Sequence, residues 1–439
     1  MRRLEIGLVC QNVVRRDGQG RVSLEVARAL LQRGHAVTVY AHRLDDELAG
    51  RVAFRRIPRP PGPQLVDDLV FLVVATLFVR RASHDSVCVL GPTALPRRPF
   101  AYDAQFSHRG WRRTWTRATR PGLYHRIHAR IIGALETFVA RRADRVISST
   151  AALGAELLAG AEAKTVVVPN GVDLSEFTTP DASERAAARE RFGLGDRDLA
   201  IGFFGGWTTP RKGLDPLLRA LALSTDGEKL LLAHEGDRSA LQERTRELHV
   251  GERVHVAGFE PPRTVLAACD LVCVPSLYEP WSLVAFEAAA SGVPVVISAD
   301  AGAAAHLEGA AAVVEAPEPE LLREAIDRLR TDPGERRRLA SAARRAAEAL
   351  TWEAAMVHAA EVIEEIAVSH ASPAPLRALE PEALRAAASV APDAAQRTWS
   401  RALGRGWPTS TLASLLQDWS EWSAKTYPEM LRTIAEAQE

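Results

Sequence analysis

Two glutamates on either side of a helix start are the residues of this chain best spaced for chemistry. Glu279 and Glu287 lie eight positions apart within residues 275–296, PSLYEPWSLVAFEAAASGVPVV. Pro280 keeps the first glutamate on a loop, and the apolar run from Leu283 predicts a helix with the second glutamate in its second turn. One carboxylate before a helix start and one after it can bind hydroxyl groups on both sides of an anion.

The helix start itself is the predicted anion site. Free N–H groups and aligned peptide dipoles make the first turn of a helix electropositive, so phosphate groups bind there. The residues expected to provide these N–H groups are Trp281, Ser282, Leu283 and Val284. A nucleotide-sugar, in which polar hydroxyls flank a diphosphate, fits this arrangement. The alternative is an ordinary loop, helix and strand with two surface glutamates.

A second anion site is predicted upstream, after the apolar strand Leu199–Phe204. Gly206 ends a tight glycine turn, and Arg211 and Lys212 follow shortly after it. A helix is then expected from Leu214. Two cations and a helix start beside a glycine turn can hold a diphosphate. The alternative is a surface pair of basic residues without a ligand.

Together these segments resemble the E-x7-E and glycine-turn elements of the retaining GT-B glycosyltransferases of the family-4 type. The resemblance implies two facing Rossmann-like domains, with a nucleoside-diphosphate sugar held mainly by the C-terminal one. In the family the glycine turn grips the donor diphosphate, a role that falls here to Arg211 and Lys212. Glu279 would orient sugar hydroxyls, and Glu287 would accept hydrogen bonds from the ribose. Retention of the anomeric configuration is implied by the resemblance alone.

Neither a metal nor a cofactor is expected. Two cations at the diphosphate would take the place of a divalent ion, and Asp196-Arg197-Asp198 lies in a linker rather than in a metal-binding context. The donor is expected to be a UDP-sugar in preference to a GDP-sugar.

The chain begins with a predicted βαβ unit: strand Leu4–Cys10, helix Val22–Gln32 and strand His35–Tyr40. Gly18 and Gly20 precede the helix on a loop that resembles the GGxGR-type turn of family N-domains, so both are assigned to the donor phosphate or the acceptor. A dinucleotide fingerprint is disfavoured, because the glycines come well after the first strand and no acid follows the second.

Other positions are assigned by the resemblance. His108, in the segment FSHRGW, matches a family histidine beside the transferred sugar, and Gly258 lies at a turn that touches the nucleotide base largely through backbone. The segment VVVPNGVDLSEF, residues 166–177, matches the end of the family N-domain. Within it, Asn170-Gly171 predicts a tight turn toward the second domain.

The sequence departs from the family at two positions. Many members have arginine where this chain has Trp207, so either Arg211 takes over the charge or the tryptophan stacks on the donor. His306 stands in place of an acid in a run that begins at Gly302, and no catalytic role is expected there.

Composition disfavours several other classes of protein. The chain has 439 residues, and 55 basic residues balance 55 acidic ones, so no general attraction to nucleic acid is expected. The N-terminus lacks the apolar core of a signal peptide, and the run Leu69–Val79 is too short to span a bilayer. Cys10, Cys88, Cys269 and Cys273 are expected to be buried free thiols. We therefore expect a cytoplasmic protein, located at the inner face of the membrane if it binds one.

A basic segment is the main clue to the acceptor. Between Arg97 and Arg145, twelve arginines meet three acidic residues. This excess would attract an anionic or hydroxylated acceptor, or anionic lipid headgroups, whereas the chain offers no module for binding nucleic acid. The alternative is a solvated arginine-rich face. The preceding helix, Gln64–Arg81, is predicted to be a core helix buried on most sides.

The predicted fold is α/β with GT-B architecture and a mainly helical C-terminal extension. The expected parts are an acceptor-side Rossmann-like domain (1–178), a linker (179–198), a nucleotide-sugar-binding Rossmann-like domain (199–369) and the extension (370–439). The predicted function is retaining, metal-independent transfer of a hexose-type sugar to a hydroxyl of a cell-envelope lipid or saccharide precursor. Two alternatives stay open: a tailoring enzyme for a small secondary metabolite, and a GT-B protein that binds nucleotide-sugar without turnover. No oligomeric state is predicted.

Overall fold

The computed structural model describes residues 2–370, except residues 16, 116–120, 161, 207–208, 225–226, 234–237 and 259. The chain divides into two units, Met1–His370 and Ala371–Glu439. The architecture below is that of the first unit. The departure at Trp207 and the predicted helical extension after His370 lie outside the described residues.

Two parallel sheets form the framework of the first unit, which confirms the α/β prediction. The strands are β1 (Glu5–Val9), β2 (Asn12–Val13), β3 (Ala36–Ala41), β4 (Arg43–Leu44), β5 (Ala53–Arg56), β6 (Ser86–Leu90), β7 (Phe100–Ala104), β8 (Arg145–Ser148), β9 (Thr165–Val167), β10 (Leu199–Phe204), β11 (Glu228–Ala233), β12 (Val254–Gly258), β13 (Leu271–Val274), β14 (Val295–Ser298) and β15 (Ala312–Val314). Central strands such as β6 and β13 are buried along their whole length, as expected when helices cover both faces of a sheet.

Helices connect the strands and cover the sheets. They are α1 (Gly18–Gln32), α2 (Gln64–Arg81), α3 (His108–Arg113), α4 (Leu123–Arg142), α5 (Ala151–Leu157), α6 (Ala182–Arg191), α7 (Leu214–Ala222), α8 (Arg238–Glu247), α9 (Pro262–Ala268), α10 (Leu283–Ala290), α11 (Pro319–Thr331), α12 (Pro333–Glu348) and α13 (Trp352–His370). Short 3-10 helices lie at Asp46–Leu48, Glu162–Lys164, Pro210–Lys212, Gly251–Arg253 and Gly302–Leu307.

Strand order locates the ligand-binding edge of each sheet. The first sheet, which defines the N-domain, has the order β5-β3-β1-β6-β7-β8-β9, and the second, which defines the C-domain, has the order β12-β11-β10-β13-β14-β15. The direction of the strand order reverses between β1 and β6 in the first sheet and between β10 and β13 in the second. Ligands of open α/β sheets bind beyond the carboxyl ends of the strands at such a reversal. In the C-domain those ends lead directly into residues 205–213 and 275–282.

The last described helix returns to the N-domain. Trp352, Met356 and Ile363 of α13 pack in the same core cluster as β1, β3 and α1. Arg33 of the N-domain donates two hydrogen bonds to Glu364, at 2.6 and 2.8 Å. The expected domain boundary at residue 369 therefore grouped α13 with the wrong sheet, because the apolar face of this helix fits the N-domain core.

The first helix begins earlier than predicted. Asp17 accepts a hydrogen bond from Gln19 N at 3.2 Å and caps the helix, so α1 starts at Gly18 rather than at Val22. Gly18 and Gly20 thus lie in the first turn of α1 and not on a loop.

Helix α2 has the predicted bounds, but the prediction that it is buried on most sides is wrong. Phe71, Ala75 and Val79 pack into the core. Other apolar residues of the helix are 37–57% exposed: Val66, Leu69, Val73, Leu77 and Phe78. The helix covers the sheet with one face, and these five apolar residues lie on its exposed side.

Two smaller expectations concern burial and membrane spans. The four cysteines are unpaired and buried, as predicted. Among the described helices, none is long and apolar enough to cross a bilayer.

The Asn170-Gly171 segment is held by the start of α13. Contrary to the prediction, no hydrogen-bonded turn forms at these two residues, and the chain turns only later, at residues 174–176. Val172 N donates to Leu350 O at 2.9 Å, and a Cβ built on Gly171 would lie 2.3 Å from Trp352 N. Glycine is needed at this position because two backbone segments approach too closely for any side chain.

Replacing Gly171 with alanine is therefore expected to destabilise the protein. Forced separation of two packed backbones costs about 1–3 kcal/mol in the free energy of unfolding. Chemical denaturation monitored by circular dichroism measures this loss. Gly251→Ala is the control, because the nearest atom that a Cβ there would meet lies 3.8 Å away, an ordinary van der Waals contact. Equal stability of the two variants would contradict the close approach.

Candidate functional site

Glu279 lies between the two predicted cations. Its Oε2 atom accepts a hydrogen bond from Arg211 Nη1 at 3.0 Å and another from Lys212 Nζ. Burial acts to raise the pKa of the Glu279 carboxyl, but the charges of Lys212 and Arg211 and their hydrogen bonds together lower it. Three of the residues predicted to be catalytic thus form one ion cluster at the carboxyl edge of the second sheet.

The 3-10 turn that presents the cations is fixed to the loop after β13. Gly213 ends the turn with a φ of 76°, and a Cβ there would lie 1.7 Å from Pro275 O. An L side chain is excluded both by the left-handed backbone and by this contact. Leu277 N also donates to Arg211 O at 2.8 Å. The positions of the cations are therefore set by backbone contacts and not by side-chain preference alone.

The backbone of Glu279 is held from the opposite side by the loop after β14. Glu279 N donates to Asp300 O at 3.3 Å, and Gly302 N donates to Glu279 O at 2.8 Å. The run from Gly302 to His306 was assigned no catalytic role. Its first residue instead positions the acid of the ion cluster.

The start of α10 faces the start of α1 across the space between the domains. A Cβ built on Gly18 would lie 3.9 Å from Leu283 Cδ1. Within the described part of the chain, the Ser282 side chain makes no capping hydrogen bond to α10. The first-turn N–H groups of α10, including that of Val284, are thus available to an anion at the point where the domains meet.

Trp281, a predicted donor-binding residue, contributes its side chain to the core. The indole is 4% exposed, stacks on Phe286 with ring centroids 5.2 Å apart, and meets His306 edge-on at 4.8 Å. Only the backbone of Trp281 is placed to meet a donor. The packing fixes the direction in which the chain enters α10.

Glu287 lies one turn into α10, and its charged neighbours are not those of Glu279. Burial raises its pKa to about 7, with a further increase from Glu176 and a decrease from Arg21. Arg21 of α1 pairs with Glu176 and Asp173, both at 3.3 Å. The second predicted acid therefore lies beside the segment that crosses from the N-domain to the C-domain.

The N-domain contributes a histidine, His108, that is hydrogen-bonded to a buried glutamate and lies near the ion cluster. His108 Nδ1 lies 2.7 Å from Glu136 Oε1, and His108 N donates to Glu136 Oε2 at 2.9 Å. The glutamate is buried, so it fixes both the backbone and the ring of His108. This contact occupies Nδ1 and leaves Nε2 as the ring nitrogen that can meet a ligand.

Aromatic contacts join this histidine to the ion cluster. Phe106 lies 4.9 Å from the His108 ring and 5.3 Å from the Tyr278 ring, measured between centroids. The Arg211 guanidinium lies over Phe106 at 5.0 Å. Tyr278 donates its hydroxyl hydrogen to Glu156 at 2.6 Å and links the C-domain loop to α5 of the N-domain. A continuous row of contacting side chains thus connects His108 with the ion cluster.

Of the remaining predicted glycines, Gly206 lies in a turn, Gly258 ends a strand and Gly20 lies within α1. Gly206 O accepts a hydrogen bond from Thr209 N at 3.1 Å, within the turn that leads to the cations. Gly258 ends the edge strand β12 with a φ of 71°. A Cβ on Gly20 would lie 2.8 Å from Val14 O, so this glycine packs α1 against the loop before it.

Four further residues of the site were not found from the sequence: Phe106, Glu136, Glu156 and Tyr278. Tyr278 is next to Glu279, but no sequence pattern identifies it as a residue of the site. Glu136 and Glu156 are hydrogen-bonded to His108 and Tyr278, which lie 28 and 122 positions away in the chain. Such pairs produce no local spacing pattern, so only the fold identifies them.

Two family models cover most of the first unit. The Glycosyltransferase Family 4 model matches residues 16–176, and the Glycosyl transferases group 1 model matches residues 187–346. The gap between them contains the start of α6, where the chain crosses to the second sheet.

Curated relatives are named D-inositol 3-phosphate glycosyltransferase. The protein from Geodermatophilus obscurus is 30% identical over 399 residues, covering 75% of this chain and 80% of the relative. The protein from Salinispora arenicola is 33% identical over 267 residues, covering 55% of this chain. In that match the chain spans 59% of the length of the relative.

Solved structures show the same fold at low identity. Sucrose-phosphate synthase from Thermosynechococcus elongatus is 20% identical with a TM-score of 0.71, covering 84% of this chain and all of that one. HepE from Anabaena, in complex with UDP-glucose, is 20% identical with a TM-score of 0.65, covering 82% of this chain and all of that one. The two family models, the Geodermatophilus obscurus relative and this fold together show that the chain belongs to the GT-B glycosyltransferases, of the family 4 and group 1 type.

Proposed function

We propose that this protein transfers a hexose-type sugar from a nucleoside-diphosphate sugar to a hydroxyl acceptor with retention of configuration. The observation that supports this most directly is the ion cluster of Arg211, Lys212 and Glu279 beside the start of α10. Two cations and a free helix start make a site for a diphosphate, and the adjacent carboxylate can bind sugar hydroxyls.

The main task of such a site is to stabilise the leaving group. Breaking the anomeric C–O bond develops positive charge on the sugar ring and negative charge on the departing nucleoside diphosphate. Lys212, Arg211 and the first-turn amides of α10 would meet that negative charge as it forms. Because cations already serve this purpose, the reaction is proposed to need no divalent metal.

Retention is proposed to follow from attack on the face that the diphosphate leaves. The acceptor oxygen forms a bond to the anomeric carbon while the bond to the phosphate oxygen breaks, and the acceptor proton passes to the departing phosphate. Glu279 is bound by two cations, so it is better suited to orienting hydroxyls than to forming a covalent intermediate.

His108 is proposed to contact the transferred sugar from the N-domain side. Its Nδ1 is held by Glu136, so Nε2 can exchange a hydrogen bond with a sugar hydroxyl. Glu136 acts only through the histidine and is a positioning residue.

A UDP-sugar is the proposed donor, since HepE, a structure of the same fold, contains UDP-glucose. The names of the curated relatives indicate a phosphorylated polyol as one acceptor class, which agrees with the expected anionic or hydroxylated acceptor.

Thermal unfolding with UDP-, GDP- and dTDP-glucose tests the donor proposal, and stabilisation by UDP-glucose above the others is expected. Turnover is tested by donor hydrolysis without acceptor. A protein that is stabilised but neither hydrolyses nor transfers sugar would be a binding protein instead.

Lys212→Ala is expected to reduce the rate of transfer strongly. Removing one preorganised donor to a developing oxyanion costs about 3–4 kcal/mol, or ~10²–10³-fold in kcat. Lys229→Ala is the matched control, because Lys229 lies on β11 and donates to Glu252 O. Near-normal turnover of the Lys212 variant, with its thermal stability unchanged, would contradict leaving-group stabilisation by this cation.

Donor affinity is expected to rise with pH through about 7. The pKa of Glu287 is about 7 in the free protein, and ribose hydroxyls donate best to the ionised carboxylate. If only that form binds, affinity for UDP-glucose increases about tenfold between pH 6 and pH 8. Isothermal titration calorimetry measures the change. Glu287→Gln should abolish the dependence, and the same dependence in both proteins would exclude Glu287 as its source.

A further inference from the structure

Helices α2 and α4 lie side by side on the outer face of the N-domain. Their first turns are joined, because Leu65 N donates to the Tyr124 hydroxyl at 3.0 Å and His128 Nε2 lies 2.7 Å from Asp68 Oδ2. Their last turns border one cleft, which Arg80 of α2 and Phe138 of α4 both line. The two helices therefore run in the same direction and present one continuous surface, here called the α2/α4 face.

The α2/α4 face exposes apolar side chains on both helices. On α2 they recur at positions 66, 69, 73 and 77, and on α4 at positions 123, 127, 131 and 138. Spacings of three, four and seven residues place each set along one side of its helix. Each of these side chains is at least 37% exposed. Two neighbouring apolar stripes on one face exceed the scattered single residues that are usual on soluble proteins.

The charges on this face have one sign. The acidic residues of α2 and α4 are turned inward: Asp67 pairs with His42 and Arg59, and Asp68 and Glu136 pair with histidines. Arginines instead lie at the surface of both helices: Arg80, Arg81, Arg130, Arg141 and Arg142 are exposed. The Arg142 guanidinium lies over the Phe138 ring at 4.6 Å, so cation and apolar surface are in direct contact.

Apolar stripes bordered by arginines fit the interface of an anionic lipid bilayer. The apolar side chains can enter the acyl boundary while the guanidinium groups bind phosphate headgroups. A second copy of this chain fits less well, because a symmetric contact through this face would bring like charges together.

The α2/α4 face also adjoins the candidate site. The Tyr124 ring, at the N-terminal end of α4, lies 6.2 Å from the His128 ring, and the His128 ring lies 5.5 Å from the His108 ring, measured between centroids. A protein bound through this face would hold its acceptor space close to the lipid surface.

We infer that the α2/α4 face binds the surface of a membrane containing anionic lipids, from which the acceptor is reached. Only the clause on the acceptor rests on the proposed function. Binding to vesicles needs no sugar donor, so it can succeed or fail independently of glycosyl transfer.

The apolar part is tested with Val73→Ser combined with Ile127→Ser in the full chain. These side chains are 57% and 44% exposed, so their loss should leave folding intact. The matched control is Leu223→Ser combined with Val313→Ser in the C-domain, where the exposures are 56% and 44%. Sedimentation with vesicles of phosphatidylglycerol and phosphatidylcholine in equal parts should show a partition coefficient reduced about tenfold or more for the first pair only.

The charged part is tested with Arg130→Glu combined with Arg141→Glu. Each arginine near an anionic surface contributes about a fivefold increase in binding, so reversing two should weaken it at least about tenfold. Arg337→Glu combined with Arg345→Glu, at exposed positions of α12, should have little effect. Binding of the unaltered protein should also fall in vesicles of phosphatidylcholine alone and at high salt.

The inference is overturned if the unaltered protein does not bind anionic vesicles, or if either pair of substitutions in the α2/α4 face binds as tightly as its control. It is also overturned if light scattering reveals a dimer that only Val73→Ser with Ile127→Ser disrupts, since a second copy would then cover this face.

Discussion

The attraction between one carboxylate and two cations organises this structure. Arg211 and Lys212 would repel each other at the edge of the second sheet if nothing lay between them. Glu279 offsets that repulsion and remains ionised because the two positive charges outweigh the effect of burial on its pKa. The cluster is therefore preorganised, and it presents positive charge without the rearrangement that a flexible surface lysine would need.

Backbone contacts within the C-domain and side chains of the N-domain maintain this cluster. The 3-10 turn before Gly213 presses against Pro275, and Gly302 holds the other side of Glu279. The N-domain adds a wall in which Phe106 meets both Tyr278 and the Arg211 guanidinium. The hydrogen bond from the Tyr278 hydroxyl to Glu156 connects the loop that carries Glu279 to the N-domain. The ion cluster of the C-domain and His108 of the N-domain are thus linked through contacts that span the cleft.

How much the sequence could predict depends on how local each signal is. The α/β class, most strands and the two separate motifs, Arg211-Lys212 after a glycine turn and Glu279 before a helix start, follow from periodicity, glycine turns and short spacings. That these motifs form one site was implied only by the family resemblance, because Glu279 lies 67 and 68 positions from the two cations that it contacts. The pairing of His108 with Glu136 has no such signal, because the fold alone joins α3 to α4. Helix α2 was misjudged because its apolar residues occur on both faces, and composition cannot separate a buried face from a surface face. Helix α13 was assigned to the wrong sheet for a similar reason, since an amphipathic pattern does not identify the surface that it covers.

The most direct test of this account is a crystal structure of the protein with UDP bound. The account predicts that the diphosphate lies between the 205–213 turn and the start of α10, with phosphate oxygens within hydrogen-bond distance of Arg211 and Lys212. It also predicts that Glu279 then shares these cations with the ligand. A diphosphate bound elsewhere, with the contacts of Glu279 to Arg211 and Lys212 unchanged, would contradict the claim that this cluster exists to receive it.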